Sequence, residues 1–195
     1  CRGQKWTGSP ANVGRFGFAF LGLNVSLETY LNRLLVMAID TSRFTIHPEV
    51  KDALASGQAV VALESTIISH GLPSPRNVVV AGDIEQSVRD GGAIPATIAI
   101  INGVVKVGLT PAELDILGDP NSNVVKVSTR DLGPVLAVGG HGATTVSATS
   151  HIAHLAGIKF FATGGLGGVH RGAQDTYDES GDLVTLARTP ITVTC

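Results

Sequence analysis

The chain has 195 residues, enough for one domain with a sizeable core, and its 44% hydrophobic share excludes a disordered polymer. A net charge of −2, no basic block and 5% aromatics argue against a nucleic-acid polymer as partner. No apolar run reaches the roughly 20 residues of a spanning helix, so no membrane is expected, and cysteines only at positions 1 and 195 fit a reducing, cytoplasmic compartment.

The first methionine is Met37, and an ordinary globular start follows it. Residues 1–36 are read as an N-terminal extension, disordered or not native to the domain, and residues 37–195 as the domain itself. "RFGFAFLGLNVSL" follows Arg2 and Lys5 but is short for a signal segment and has no small-residue cleavage site after it. "AVVAL" (59–63) is a buried strand. "RNVVVAGDIEQSVRDGG" is a helix, with Pro75 before it and Gly91 as its stop. "IPATIAII" is a second strand, and Asn102-Gly103 a tight turn into "VVKVG". Thr110 caps "PAELDIL", with Pro111 at the first helical position and Glu113 completing a capping box. "NVVKVS" is a strand and "RDLGPVLAV" a short helix.

Residues 139–157, "GGHGATTVSATSHIAHLAG", read as a glycine-rich loop opening a small-residue helix, with Thr144 and Thr145 in its first turn. "IKFFATGG" is a strand running into "TGGLGGVHRGAQDTYDESGDL" (163–183), and "TPITVTC" is a last strand. Strands alternating with helices predict an α/β fold. The expected form is a three-layer α/β/α sandwich on a mostly parallel sheet, incomplete at its C-terminus. In such sheets ligands sit beyond the carboxyl ends of strands.

Those ends carry the candidate chemistry. Glu64 follows four apolar residues; it is either a general acid with a pKa raised by burial or a hydrogen-bonded structural glutamate. Lys126, one of five lysines, stands in a β-branched strand. It can neutralise a phosphate, serve as a desolvated amine, or be an edge-strand lysine with its head in water. Six glycines in 163–183 and the loop at 139–142 offer backbone N–H groups to an anion, with Thr144, Thr145 and His170 as further donors. Neither loop has a nucleotide fingerprint. Asp175, Asp178, Glu179 and Asp182 are hard oxygen ligands for Mg²⁺ or Mn²⁺, or a solvated acidic turn. His151 and His154 lack the zinc-protease spacing, and Ser65 lacks a nucleophile elbow.

The blocks "VVALESTIISHGLPSPRN", "GAIPATIAIINGVVKVGL", "NVVKVSTRDL", "GATTVSAT" and "FATGGLGGVHRGAQDTYDESGDL" together resemble the pseudouridine-5′-phosphate glycosidase family, also labelled indigoidine synthase A-like. The resemblance runs from Met37 to Cys195. It implies an α/β/α fold, a homotrimer, Mn²⁺ as cofactor with Mg²⁺ as the alternative, and reversible cleavage of the C–C bond joining uracil to ribose 5-phosphate. It implies Glu64 as proton donor. Lys126, Val146, Thr145, Ser180, Gly181 and Asp182 would contact substrate, Thr163 and His170 would stand on the phosphate and sugar side, and Asp178 would lie at the metal.

A carbon leaving group needs an electron sink. The family uses a lysine that opens the ribose ring and forms an iminium, in a "CAGAK"-like motif whose cysteine aligns with Cys195. This sequence stops at that cysteine. The expectation is therefore weak binding of ribose 5-phosphate without turnover, with neither Lys126 nor Lys106 placed to substitute. A sugar-phosphate-binding module and a non-catalytic remnant are the alternatives.

Overall fold

The computed structural model describes residues 43–195. The expectation for residues 1–36 lies outside these. Among the described residues, eight strands form one sheet: β1 (Phe44–Ile46), β2 (Val60–Leu63), β3 (Ile94–Ile101), β4 (Val104–Val107), β5 (Val125–Val127), β6 (Gly142–Thr144), β7 (Phe160–Ala162) and β8 (Thr192–Thr194). The helices are α1 (Pro48–Ser56), α2 (Arg76–Asp90), α3 (Pro111–Gly118), α4 (Leu132–Val138), α5 (Val146–Leu155) and two short ones, α6 (Ala173–Thr176) and α7 (Gly181–Leu186).

The main path is β1-β4-β3-β2-β7-β8, with β6 on β3 and β5 on β6. The pairs β1–β4, β2–β3, β2–β7, β5–β6 and β7–β8 are parallel; β3–β4 and β3–β6 are antiparallel. The sheet is thus mostly parallel, as expected. The β3–β4 reversal is the Asn102-Gly103 turn, both residues in the left-handed region at φ 51° and 68°. Alternation along β3 builds the two helical layers. Ala96, Ile98 and Ile100 join the core formed with α1, α4 and α5, whereas Ala99 and Ile101 pack with Ala81 of α2 and Leu114 and Leu117 of α3.

The segment 139–142 is not a loop leading straight into a helix. Gly142–Thr144 is a wholly buried strand, and only then does α5 begin. A Cβ on Gly142 would lie 2.6 Å from Val127 Cγ2 and 3.4 Å from Ile100 Cβ, so the small residue is what lets β6 fit between β5 and β3. Thr144 is correspondingly buried. Its hydroxyl donates to Ile98 O and accepts from Thr149, and it is not a donor in a crevice.

β2 and β6 share one edge of β3 and run in opposite senses. β2 pairs with residues 94–97 and β6 with residues 99–100. They meet end to end at Ile98, whose carbonyl accepts from both Ser65 Oγ (2.7 Å) and Thr144 Oγ1 (2.6 Å). The Ser65 amide donates to Thr144 O at 3.3 Å, and Ser65 Oγ accepts from the Thr144 amide at 2.8 Å. Neither strand can continue, so both chains leave the sheet at the same place. Glu64 lies at the end of one, and Thr145, the residue before α5, at the end of the other.

Candidate active site

A cavity of about 710 Å³ opens where these two chains leave the sheet. Glu64, Lys126, Thr145, Val146, His170, Asp178, Ser180, Gly181 and Asp182 all line it, so nine of the ten residues that the family resemblance implies share one space. Thr163 stands behind the wall and hydrogen-bonds to Glu64. Lys106 is not in the lining; its ammonium pairs with Glu113 at 3.1 Å.

Glu64 is half-buried, and burial pushes its carboxyl above the ordinary glutamate value. The Thr163 hydroxyl donates to Oε1 and works against that shift. The negative charge of Asp182 adds to it, and the Lys126 ammonium opposes it. The result is an acid that keeps its proton further towards neutral pH than a solvated glutamate.

Lys126 belongs to β5, which pairs only with β6 among the described residues, so it is an edge-strand lysine. Its side chain is exposed and lines the cavity. The edge position and the cavity-lining one are therefore the same position. Ser128, Thr129 and Arg130 follow β5 directly and line the cavity too. They were missed on the sequence, although the rule that found Glu64 and Thr163, residues just past a strand's carboxyl end, also selects Ser128.

The glycine wall is held by Asp182, only 8% exposed. Its Oδ1 accepts from the Ser147 amide in the first turn of α5 (2.9 Å), and its Oδ2 from the Gly167 amide (3.0 Å). Ser180 caps α7 by accepting from the Asp182 amide at 3.2 Å, and its own amide donates to Gly168 O at 2.9 Å. The carboxylate thus clamps the glycine loop to the α5 N-terminus. Gly167 must be glycine for this: a Cβ there would stand 2.2 Å from Ser180 Oγ and 2.7 Å from Asp182 Oδ2. Asp182 faces the cavity with both oxygens already engaged by backbone.

His170 and Asp178 are paired on the rim, Nδ1 to Oδ2 at 2.9 Å, and the His170 amide donates to Asp178 O at 3.2 Å. No three His, Cys, Asp or Glu side chains among the described residues group so as to enclose an ion. Asp178 is a single hard oxygen donor there, and one of its oxygens is already paired with His170. Asp175 is exposed on α6 and lies outside the lining; Glu179 lines it. His151 and His154 sit one turn apart on α5, away from the cavity lining, where burial lowers the His151 pKa.

Comparison with known proteins gives the family. The chain is 57% identical over 159 residues to a pseudouridine-5′-phosphate glycosidase of Escherichia coli, covering 82% of this chain and 51% of that protein. It is 59% identical over 152 residues to one of Deinococcus radiodurans, covering 78% and 48%. The chain therefore spans about half the length of the curated relatives it matches. A solved prealnumycin C-glycosynthase in complex with ribulose 5-phosphate superposes with a TM-score of 0.70 at 43% identity, over 77% of this chain and 48% of that one. An indigoidine synthase A-like protein of Thermotoga maritima superposes with a TM-score of 0.64 at 32% identity, over 74% and 46%. The pattern of the family described as indigoidine synthase A like protein matches residues 49–195, and the chain belongs to that family.

Proposed function

We propose that these residues form the acid and phosphate side of an enzyme site that breaks, or in reverse forms, the C–C bond between C5 of uracil and C1 of ribose 5-phosphate. The observation that carries this reading is one cavity in which a carboxylic acid with a raised pKa, a lysine and the amide-rich glycine wall face a common space. The names of the relatives, and the sugar phosphate in the related C-glycosynthase, supply the substrate class.

In cleavage the bonding electrons leave with uracil C5, and Glu64 supplies the proton that this carbon needs. In synthesis Glu64 takes it back. A raised pKa suits both duties, because it brings the carboxyl closer to the point where a proton is both given and taken back readily. The Lys126 ammonium neutralises the phosphate. Val146 and Thr145 at the start of α5, and Ser180 with Gly181 at the start of α7, orient the sugar. Remote binding energy of this kind holds the reacting end in place. The resemblance assigns the covalent sugar adduct to a lysine beyond the position aligned with Cys195, so no step here is given to Lys126 as nucleophile. Mn²⁺, or Mg²⁺ in its place, is proposed at Asp178, where it would order water and ligand oxygens. A homotrimer in the cytoplasm is the assembly and compartment that the family resemblance supports. No helix among the described residues is long and apolar enough to cross a membrane.

The chemistry is tested by joining this chain to the remaining half of the Escherichia coli relative and following uracil release from pseudouridine 5′-phosphate. Glu64→Gln should lower turnover about 10²-fold or more while ribose 5-phosphate still binds. Turnover unchanged in Glu64→Gln would remove Glu64 as the acid. A binding module without catalysis would show the affinity and no uracil release in either form.

A further inference from the structure

Glu64 and Thr163 are neighbours because of strand register. Leu63 of β2 lies opposite Ala162 of β7 in a parallel pair, so the next residue of each strand emerges at the same level, about 4.8 Å apart. The Thr163 hydroxyl donates to Glu64 Oε1. It also accepts from the Gly165 amide at 3.4 Å, and Gly165 O at 3.2 Å is its only other acceptor among the described residues. A hydroxyl that accepts from an amide is polarised into a better donor. Glu64 Oε2 receives no hydrogen bond from any described residue.

Resting on the acid role given to Glu64 above, we propose that Thr163 is a positioning residue that assigns the two oxygens of that carboxyl. By occupying Oε1 as a donor, it leaves Oε2 as the oxygen that carries the acid proton. Thr163 then acts through Glu64 and does not itself bind phosphate or sugar, the place the family resemblance gave it. The assignment removes a degeneracy. A carboxyl with both oxygens free samples the proton on either one, and only one of the two states points the proton at a reacting carbon. The same bond favours the ionised form, so Thr163 also limits how far burial lifts the acid.

The charged groups around Glu64 are Lys126 on β5 and Asp182 on α7, with Arg130 after β5 and His170, Asp178 and Glu179 on the loop wall completing the cavity. None of them donates a hydrogen bond to Glu64, so none can replace Thr163 in fixing one oxygen.

The test needs no substrate and uses the 195-residue chain. Protein labelled with ¹³C at the glutamate carboxyl is titrated by NMR, the Glu64 resonance being the one lost in Glu64→Gln. In Thr163→Val, a near-isostere without the donor, burial is less opposed and the Glu64 midpoint should move up. Thr163→Ser should return it towards wild type. Thr163→Ala repeats the loss with less steric demand, should Val disturb the fold. A Glu64 midpoint unmoved or lowered in folded Val or Ala variants overturns the proposal, as does a Ser variant that behaves like Val. Because this readout is free of catalysis, it fails separately from the uracil-release experiment.

Discussion

At the scale of single residues, Asp182 shows that a residue of the cavity wall can also hold that wall together. The family resemblance placed it against substrate, and the fold does put it in the cavity wall. Its two carboxylate oxygens, however, hold the Ser147 and Gly167 amides. Removing an acceptor from a buried donor costs about 1–3 kcal/mol, and here the buried Ser147 amide loses its acceptor together with the part-buried Gly167 amide. Asp182→Ala should therefore shift the urea midpoint to lower concentration by at least that equivalent at unchanged slope, and weaken ribose 5-phosphate binding as the glycine loop comes away from α5. A midpoint within about 0.5 kcal/mol of wild type would show that the clamp holds nothing. The presence of a carboxylate here was legible in the sequence. Its partners were not, because they lie 15 and 35 residues away, across a loop whose path is set by tertiary contacts.

At the scale of elements, what could be read locally was read correctly, and what depended on neighbours was not. The start of α3 is local. Thr110 accepts from the Glu113 amide at 3.3 Å, and Glu113 Oε2 accepts from the Thr110 amide at 2.9 Å, completing the capping box expected from the spacing alone. Thr110→Ala should cost about 1 kcal/mol in chemical unfolding and leave ligand binding intact, since neither residue lines the cavity. A loss of binding would mean that α3 communicates with the site in a way its position does not suggest. The Asn102-Gly103 turn was equally local. The strand β6 was not. Glycine, alanine and threonine have no strand pattern of their own; they form a strand by pairing with β3 and β5, and a side chain at Gly142 would collide with Val127. The wide helical turn at Ile67–Gly71 has the same character: it gave no periodic signal, and Asn77 Nδ2 holds it by donating to Ile68 O at 2.8 Å.

At the scale of the whole molecule, the decisive feature is that two strands run at each other along one edge of β3 and stop at a shared carbonyl. A mostly parallel sheet was expected to place its ligand past the carboxyl ends of adjacent strands. Here the antiparallel β6 brings a second set of carboxyl ends into the same spot, so residues 64, 126, 145 and 182, far apart in the chain, surround one space. The sequence allowed the membership of this constellation to be listed by family resemblance and by the carboxyl-end rule. The head-on meeting that assembles it rests on the β3–β6 pairing, which no local pattern encodes. The central claim is that this space binds a sugar phosphate through Lys126, and calorimetric titration of the chain with ribose 5-phosphate measures it most directly. The account predicts saturable binding in wild type, binding retained in Glu64→Gln, and affinity weakened about tenfold or more in Lys126→Ala, the scale of one charged hydrogen bond. Absence of saturable binding, or a Lys126→Ala variant that binds as tightly as wild type, would contradict it.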